Sequence, residues 1–253
     1  MNLLQKIGIT SAIALSSLNL NGQDYLLNKE GYPNERGIYY YVKSMEDSTK
    51  SEFNHFFGVE LDYVEFKVDD LEEYTNYNQG ELGLYFEWGE IIIHKKEEYI
   101  GYSRKTVKKR IERSFSEANN FVRSIMIHEL GHHFVNQTKH RLREEEKYDL
   151  IFVQFPTQKN FVEEFIEEGI SEYCVRSMGE MISPKKSFIP KTEQELLDTS
   201  NVYKAKYQYA EYFVRPVLDK YGLEKGVEII LLNELPTLEE ILKPELYYER
   251  LEE

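Results

Sequence analysis

The sequence is poor in cysteine and in long apolar runs. Cys174 is the only cysteine among 253 residues, so no disulfide can form within the chain. We expect Cys174 to be a small buried hydrophobic residue rather than a nucleophile. After the first 22 residues, no apolar run approaches the roughly 20 residues that a membrane-spanning helix requires, so no membrane span is predicted. Internal repeats and low-complexity tracts are also absent.

Positive charge is scarce, with 31 lysines and arginines against 45 acidic residues and a net charge of −14. A negative surface disfavours binding to nucleic acid or anionic lipid, although it says little about a substrate. The length and composition suit a single domain over residues 23–253. We predict an N-terminal α/β lobe at about 23–138 and a helical C-terminal lobe at about 139–253.

The first 22 residues differ from the rest of the chain. A basic start ending at Lys6 precedes an apolar stretch at 7–15 and a polar stretch at 16–22. This order predicts a signal peptide and therefore an exported protein, either periplasmic or secreted. The alternative is a plain N-terminal tail, which would leave the protein cytoplasmic.

Residues 128–132 read His-Glu-Leu-Gly-His, an H-E-x-x-H pattern. Positions four apart on a helix lie on the same face, so His128 and His132 can both direct an imidazole at one metal ion. Glu129 would lie beside that ion and act as a general base. The alternative is two ordinary histidines on a helix, because so short a pattern also arises by chance.

The sequence around the pattern favours a long helix. Ser114 and Glu117 fit a Ser-x-x-Glu capping box, and no proline follows until after Gln137. The two histidines flank a stripe of apolar residues at helical spacing: Phe121, Val122, Ile125, Met126, Leu130 and Phe134. This context favours the metal site over the chance occurrence.

A catalytic zinc ion usually takes three protein ligands. The H-E-x-x-H-x-x-G-x-x-H class is excluded, because Val135 and Thr138 stand where it needs glycine and histidine. His133 points away around the helix, and His140 is a minor candidate just beyond the expected helix end. The charged stretch 139–147 is expected to form a loop.

A second predicted helix, at residues 161–174, offers acidic ligands. Glu164, Glu168 and Glu172 are spaced by four and therefore line one side of it. Such a row repels itself in water, and a divalent cation would relieve the repulsion. A solvated acidic face is the alternative.

The H-E-x-x-H pattern and this second helix together resemble the gluzincin metallopeptidases, which include thermolysin and the membrane alanyl aminopeptidases. The resemblance covers about residues 125–176, and the Glu168-Gly169 pair is similar to the Asn-Glu-Gly segment of the aminopeptidase branch. It implies that Glu168 is the third zinc ligand, and Glu164 is the second candidate for that position. It also implies that Glu172 orients the first histidine from behind.

The chain departs from the family in two places. Glu167 stands where the aminopeptidases have asparagine, and Glu168 lies 36 positions after His132. The longer separation calls for an inserted loop. The residues at 207–210, Tyr-Gln-Tyr-Ala, are similar to a Tyr-x-x-Gly segment whose tyrosine stabilises the oxyanion in the aminopeptidases. Tyr207 is thus a catalytic candidate, with packing in a helix interface as the alternative.

The expected fold is α+β and zincin-like, with a small twisted sheet in front of the active-site helix and a mainly helical C-terminal lobe. Strand signals occur at 37–42, at 59–68 with a bulge near Tyr63, and in a hairpin at 84–94. The resemblance implies that an edge strand of the sheet binds an extended peptide as an added strand. The C-terminal helices are predicted at 160–178, 192–222, 224–233 and from 237.

The resemblance implies peptide-bond hydrolysis with one Zn²⁺ ion on His128, His132 and Glu168, and with Glu129 as the base. A peptide or protein would then be the substrate. Two other functions stay open: a non-catalytic zincin-like binding protein and a zinc hydrolase of a non-peptide substrate. The sequence leaves the cleavage preference and the oligomeric state undefined.

Overall fold

A computed structural model describes residues 35–73, 83–86, 89–95, 115–145, 158–179, 188–198 and 205–252. This part of the chain is mostly helical with one three-stranded sheet, in agreement with the predicted α+β class. The strands are β1 (Glu65–Asp69), β2 (Gly83–Phe86) and β3 (Glu90–His94). The helices are α1 (Glu35–Phe57), α2 (Phe115–Glu144), α3 (Gln158–Ser177), α4 (Glu193–Leu197), α5 (Ala210–Tyr221), α6 (Leu223–Leu232), α7 (Leu238–Leu242) and α8 (Pro244–Glu252).

Some of the predicted features lie outside the described residues, namely the signal peptide at 1–22 and Ser114 of the capping box. None of the described helices combines the length and the apolar composition that crossing a bilayer requires. Cys174 is fully buried in α3, and burial raises the pKa of its thiol, which agrees with the predicted hydrophobic role.

The central strand of the sheet is β3, which pairs in parallel with β1 and antiparallel with β2. The β2–β3 pair confirms the hairpin predicted at 84–94. Its turn ends at Gly89, whose N–H donates to the carbonyl of Phe86 at 2.9 Å. Gly89 has a φ of 86°, in a region that glycine enters without steric cost. The hairpin leaves β2 at one edge of the described sheet.

The strand predicted at 37–42 is wrong, because these residues lie in α1. Aromatic and β-branched residues favour a strand locally, but burial along α1 follows a helical period. Ile38, Tyr41 and Val42 are buried, whereas Tyr39 is 55% exposed. A continuous apolar face over 23 residues therefore outweighs the local strand propensity.

The strand predicted at 59–68 is correct only in its second half, since β1 begins at Glu65. The preceding residues form an irregular link, so Tyr63 is exposed outside any strand rather than in a bulge. The helix predicted at 192–222 is divided into α4, a π-helical turn at Ala205–Tyr209 and α5. The predictions for 160–178 and 224–233 correspond to α3 and α6.

The loop predicted at 139–147 is wrong for its first six residues, because α2 continues to Glu144; residues 146–147 lie outside the described part of the chain. His140 therefore lies within the helix, on its exposed side. Leu142 extends the buried face, and Arg141 donates from Nη2 to Oε1 of Glu228 in α6 at 2.9 Å. These tertiary contacts stabilise a last segment whose composition alone suggests a loop.

Helix α2 is the centre of the described fold. It packs against α1 and the sheet on one side and along α3 on the other, and α3 in turn packs against α5. The core between these elements is apolar and includes Phe66, Ile93, Leu130, Phe165 and Phe213. Polar side chains of α2 and α3 meet where the two helices pack against each other.

Candidate metal centre

Three side chains from α2 and α3 converge on one point. Nε2 of His128 lies 3.1 Å from Nε2 of His132 and 3.1 Å from Oε2 of Glu168. Nε2 of His132 lies 3.6 Å from the same carboxylate oxygen. Within the described part of the chain, they are the one group of three histidine, cysteine or acidic residues placed to hold a metal ion.

The spacing of these three atoms fits a metal ion. Two ligand atoms of a tetrahedral zinc site, each about 2.05 Å from the ion, lie about 3.3 Å apart. The observed separations of 3.1 and 3.6 Å bracket this value. Oε2 of Glu168 is buried and makes no hydrogen bond, a costly arrangement for a carboxylate oxygen that a cation would relieve. The residues therefore fit a divalent cation, and their geometry does not by itself identify zinc.

Glu168, His128 and His132 shift one another's pKa values. Burial alone would raise the pKa of Glu168, but His132 and His128 outweigh it and hold that pKa well below its usual range. Burial alone would lower the pKa of His128, but the adjacent carboxylates of Glu168 and Glu172 hold that pKa well above its ordinary value. A ligating imidazole must be neutral. Binding of a cation would therefore compete with protons for the ring nitrogens.

Glu129 lies next to this group and faces the edge strand β2. Its side chain is buried, and a Cβ atom added to Gly83 would lie 2.8 Å from its Cδ. The main chain of β2 thus passes directly over the Glu129 carboxylate. This carboxylate fills the space that a side chain at position 83 would need. The predicted base therefore lies directly against the edge strand of the described sheet.

Glu172 lies behind His128, on the side opposite Glu168. Its Oε1 is 3.4 Å from Nδ1 of His128, the ring nitrogen that does not face the ligand group. A carboxylate at this nitrogen fixes the tautomer and the ring angle of a ligating histidine. Glu164, the second candidate, is not in the group. It pairs with Lys206, and its side chain is 59% exposed.

Tyr207 contacts the ligand group from the π-helical turn. Its hydroxyl donates to Oε1 of Glu168 at 3.2 Å, and its ring stacks on His128 with centroids 5.8 Å apart. Such π-helical turns are rare and frequently occur at functional sites. The structure thus brings Tyr207 to the site, while the neighbouring Tyr209 is buried and donates to the carbonyl of Ile241.

Three other histidines lie elsewhere. His133 is buried beneath the sheet, where its ring contacts Tyr85 and burial lowers its pKa. His94 ends β3, and its Nδ1 accepts a hydrogen bond from the N–H of Leu71 at 3.4 Å. His140 is exposed near the end of α2. None of the three reaches the ligand group.

Two glycines that are not among the predicted site residues set the spacing of its helices. A Cβ atom on Gly131 would lie 2.7 Å from Cα of Ser171, so α2 and α3 touch at this point. A Cβ atom on Gly169 would lie 2.6 Å from the carbonyl oxygen of Ala210. A glycine inside a helix costs about 1 kcal/mol relative to alanine. A glycine within an apolar helical stripe therefore indicates, from the sequence alone, a close packing contact that offsets this cost.

We expect Gly131→Ala to weaken both folding and metal binding. The new methyl group meets the main chain of Ser171, which cannot rotate away, so α2 and α3 must move apart. Such overpacking typically costs about 1–3 kcal/mol, more than the roughly 1 kcal/mol gained from the helix propensity of alanine. Urea unfolding of the metal-free protein and chelator competition for zinc measure the two effects. A variant with increased stability and wild-type affinity would contradict the role of this contact.

Comparison of the chain with protein-family models, with curated proteins and with solved structures finds no match.

Proposed function

We propose that this protein is a zinc-dependent metallopeptidase with a zincin-like fold. His128, His132 and Glu168 would hold one Zn²⁺ ion. The observation that carries the proposal is the convergence of these three ligand atoms within 3.6 Å of one another. Two imidazoles and one carboxylate form a catalytic ligand set that leaves a position for water.

The side chains around the ligand group have the chemistry that hydrolysis requires. A bound zinc ion supplies Lewis acidity, which lowers the pKa of a water molecule towards neutrality. Glu129 would take a proton from the attacking water and deliver it to the leaving amine. Glu172 would hold the His128 ring through Nδ1. The Tyr207 hydroxyl would donate to the developing oxyanion.

A peptide substrate is supported by the position of β2. This strand pairs with β3 on one side, and no other described strand pairs with its second edge. An extended peptide could add to that edge through main-chain hydrogen bonds, next to Glu129, which lies against Gly83 of the same strand. The proposal includes export to a periplasmic or extracellular compartment, which is supported by the composition of residues 1–22.

Metal analysis combined with an unbiased peptide-library digest tests this function. We expect about one zinc ion per chain, because the described residues contain one three-ligand group. Peptide cleavage should stop when a chelator removes the zinc and return when zinc is restored. Zinc without cleavage of any peptide would favour a non-catalytic binding protein or a hydrolase of another substrate. A purified protein that digests peptides without any metal would overturn the proposal.

We expect Tyr207→Phe to lower kcat with little change in zinc affinity. The phenol ring and its stacking on His128 remain, but the hydroxyl donor is lost. Removal of one oxyanion donor typically lowers kcat by about 10²- to 10³-fold. Tyr212→Phe is the matched control, because this nearby tyrosine of α5 is 51% exposed. An unchanged kcat for Tyr207→Phe would leave Tyr207 as a packing residue.

A further inference from the structure

A series of alternating charges leads away from the metal centre along the contact between α3 and α5. Nε of Arg176 lies 3.7 Å from Oε2 of Glu172, the carboxylate behind His128. Nη1 of the same guanidinium lies 3.2 Å from Oε2 of Glu211, which is only 4% exposed. Arg215 pairs with the other oxygen of Glu211. Arg176 therefore lies between two carboxylates, one of which contacts a ligand histidine.

Arg176 also contacts the π-helical turn. Its Nη2 donates to the main-chain carbonyl of Tyr207 at 3.5 Å, while the hydroxyl of Tyr207 donates to Oε1 of Glu168. One guanidinium thus bridges the carboxylate behind His128 and the backbone of the residue that contacts Glu168. The planar group of arginine can make several directed contacts at once, whereas lysine offers one compact ammonium.

We propose that Arg176 is a positioning residue of the metal centre: it holds Glu172 behind His128 and holds the main chain of Tyr207 beside Glu168. The inference rests on the proposed zinc site but not on the identity of the substrate. Arg176 contacts neither His132 nor the ligand oxygen of Glu168, so its effect on the metal must pass through Glu172 and Tyr207. Carboxylates that orient a ligating histidine must themselves be held in place by other groups.

The structure offers a matched control for this role. Arg176 and Arg215 both pair with the buried Glu211, so replacing either one removes one of its two cations. Only Arg176 also contacts Glu172 and the carbonyl of Tyr207. Arg176→Met and Arg215→Met should therefore share any general loss of stability and differ in their effect on the metal centre.

The test compares the two variants in the full-length protein with two readouts that do not depend on activity. These are zinc affinity from chelator competition and the visible absorption spectrum of the protein loaded with Co²⁺. Loss of a group that orients a metal ligand typically lowers metal affinity by about 10- to 100-fold. We expect a loss of about 10-fold and an altered Co²⁺ spectrum for Arg176→Met, with both readouts unchanged for Arg215→Met.

The inference is overturned if Arg176→Met binds zinc like the wild type, or if Arg215→Met weakens binding to the same extent. Should Arg176→Met fail to fold, Arg176→Lys keeps a positive charge beside Glu211 but cannot make all three contacts. Reduced zinc affinity in that variant supports the inference, and wild-type affinity overturns it. A wild-type protein that binds zinc but cleaves no peptide would overturn only the proposed peptidase function, while one that binds no zinc would overturn both.

Discussion

Glu129→Gln is expected to keep the metal and to lose hydrolysis. Glutamine has nearly the same shape as glutamate, so the packing of this buried side chain beneath Gly83 is preserved. Its neutral amide cannot take a proton from the attacking water. Loss of a general base typically lowers the rate by about 10²- to 10⁴-fold. The measurements are kcat on a peptide identified from the library digest and zinc content by elemental mass spectrometry.

The control is Glu144→Gln, which makes the same chemical change on the same helix. Glu144 is exposed at the end of α2, and the variant should retain full activity. A Glu129→Gln protein with wild-type kcat would exclude the proposed mechanism. A Glu129→Gln protein that loses its zinc would instead place Glu129 among the metal ligands.

Glu168→Ala is expected to abolish the stabilisation that zinc gives to the protein. At a zinc concentration 100-fold above the dissociation constant, binding stabilises the native state by about 2.7 kcal/mol. For a protein of this size, that corresponds to a rise in Tm of about 5–10 °C. Without the Glu168 carboxylate, only two imidazoles remain of the three-ligand group. The Tm of the variant should therefore respond little to the same concentration of zinc.

Glu164→Ala is the matched control, because it makes the same change one helical turn earlier in α3. Glu164 pairs with Lys206 at the surface, outside the ligand group, so the zinc-dependent rise in Tm should persist. The comparison is between Tm values with and without zinc for each variant, which cancels differences in metal-free stability. If Glu164→Ala lost the zinc response and Glu168→Ala retained it, the ligand assignment would have to be reversed.

The local features of the site could be predicted from the sequence because they depend on the period of a single helix. The four-residue spacing of His128 and His132 places them on one face of α2 wherever that helix lies in the fold. The same period placed Glu164, Glu168 and Glu172 on one side of α3. The β2–β3 hairpin was predictable for a similar reason, since its two apolar strand segments and Gly89 in the turn are adjacent in the chain.

Predictions that depended on local propensity alone were less successful. Residues 37–42 have strand-like composition but lie in α1, because a buried face over the whole helix outweighs six residues of β-propensity. The stretch at 139–147 has loop-like composition, but Leu142 is buried and Arg141 pairs with Glu228, so α2 continues to Glu144. In both cases the deciding contacts come from residues distant in sequence.

The sequence by itself determined the two helices of the site, the pair of imidazoles and the row of three carboxylates. Only the tertiary structure decided which carboxylate meets the imidazoles, because that choice depends on how far α3 is displaced along α2. The close contact of Gly131 with Ser171 sets this displacement and brings Glu168, rather than Glu164, to the histidines. The approach of Tyr207 and Arg176 likewise depends on the packing of α5 against α3 at Gly169. A helical period specifies which residues share a face, whereas only packing specifies which faces meet.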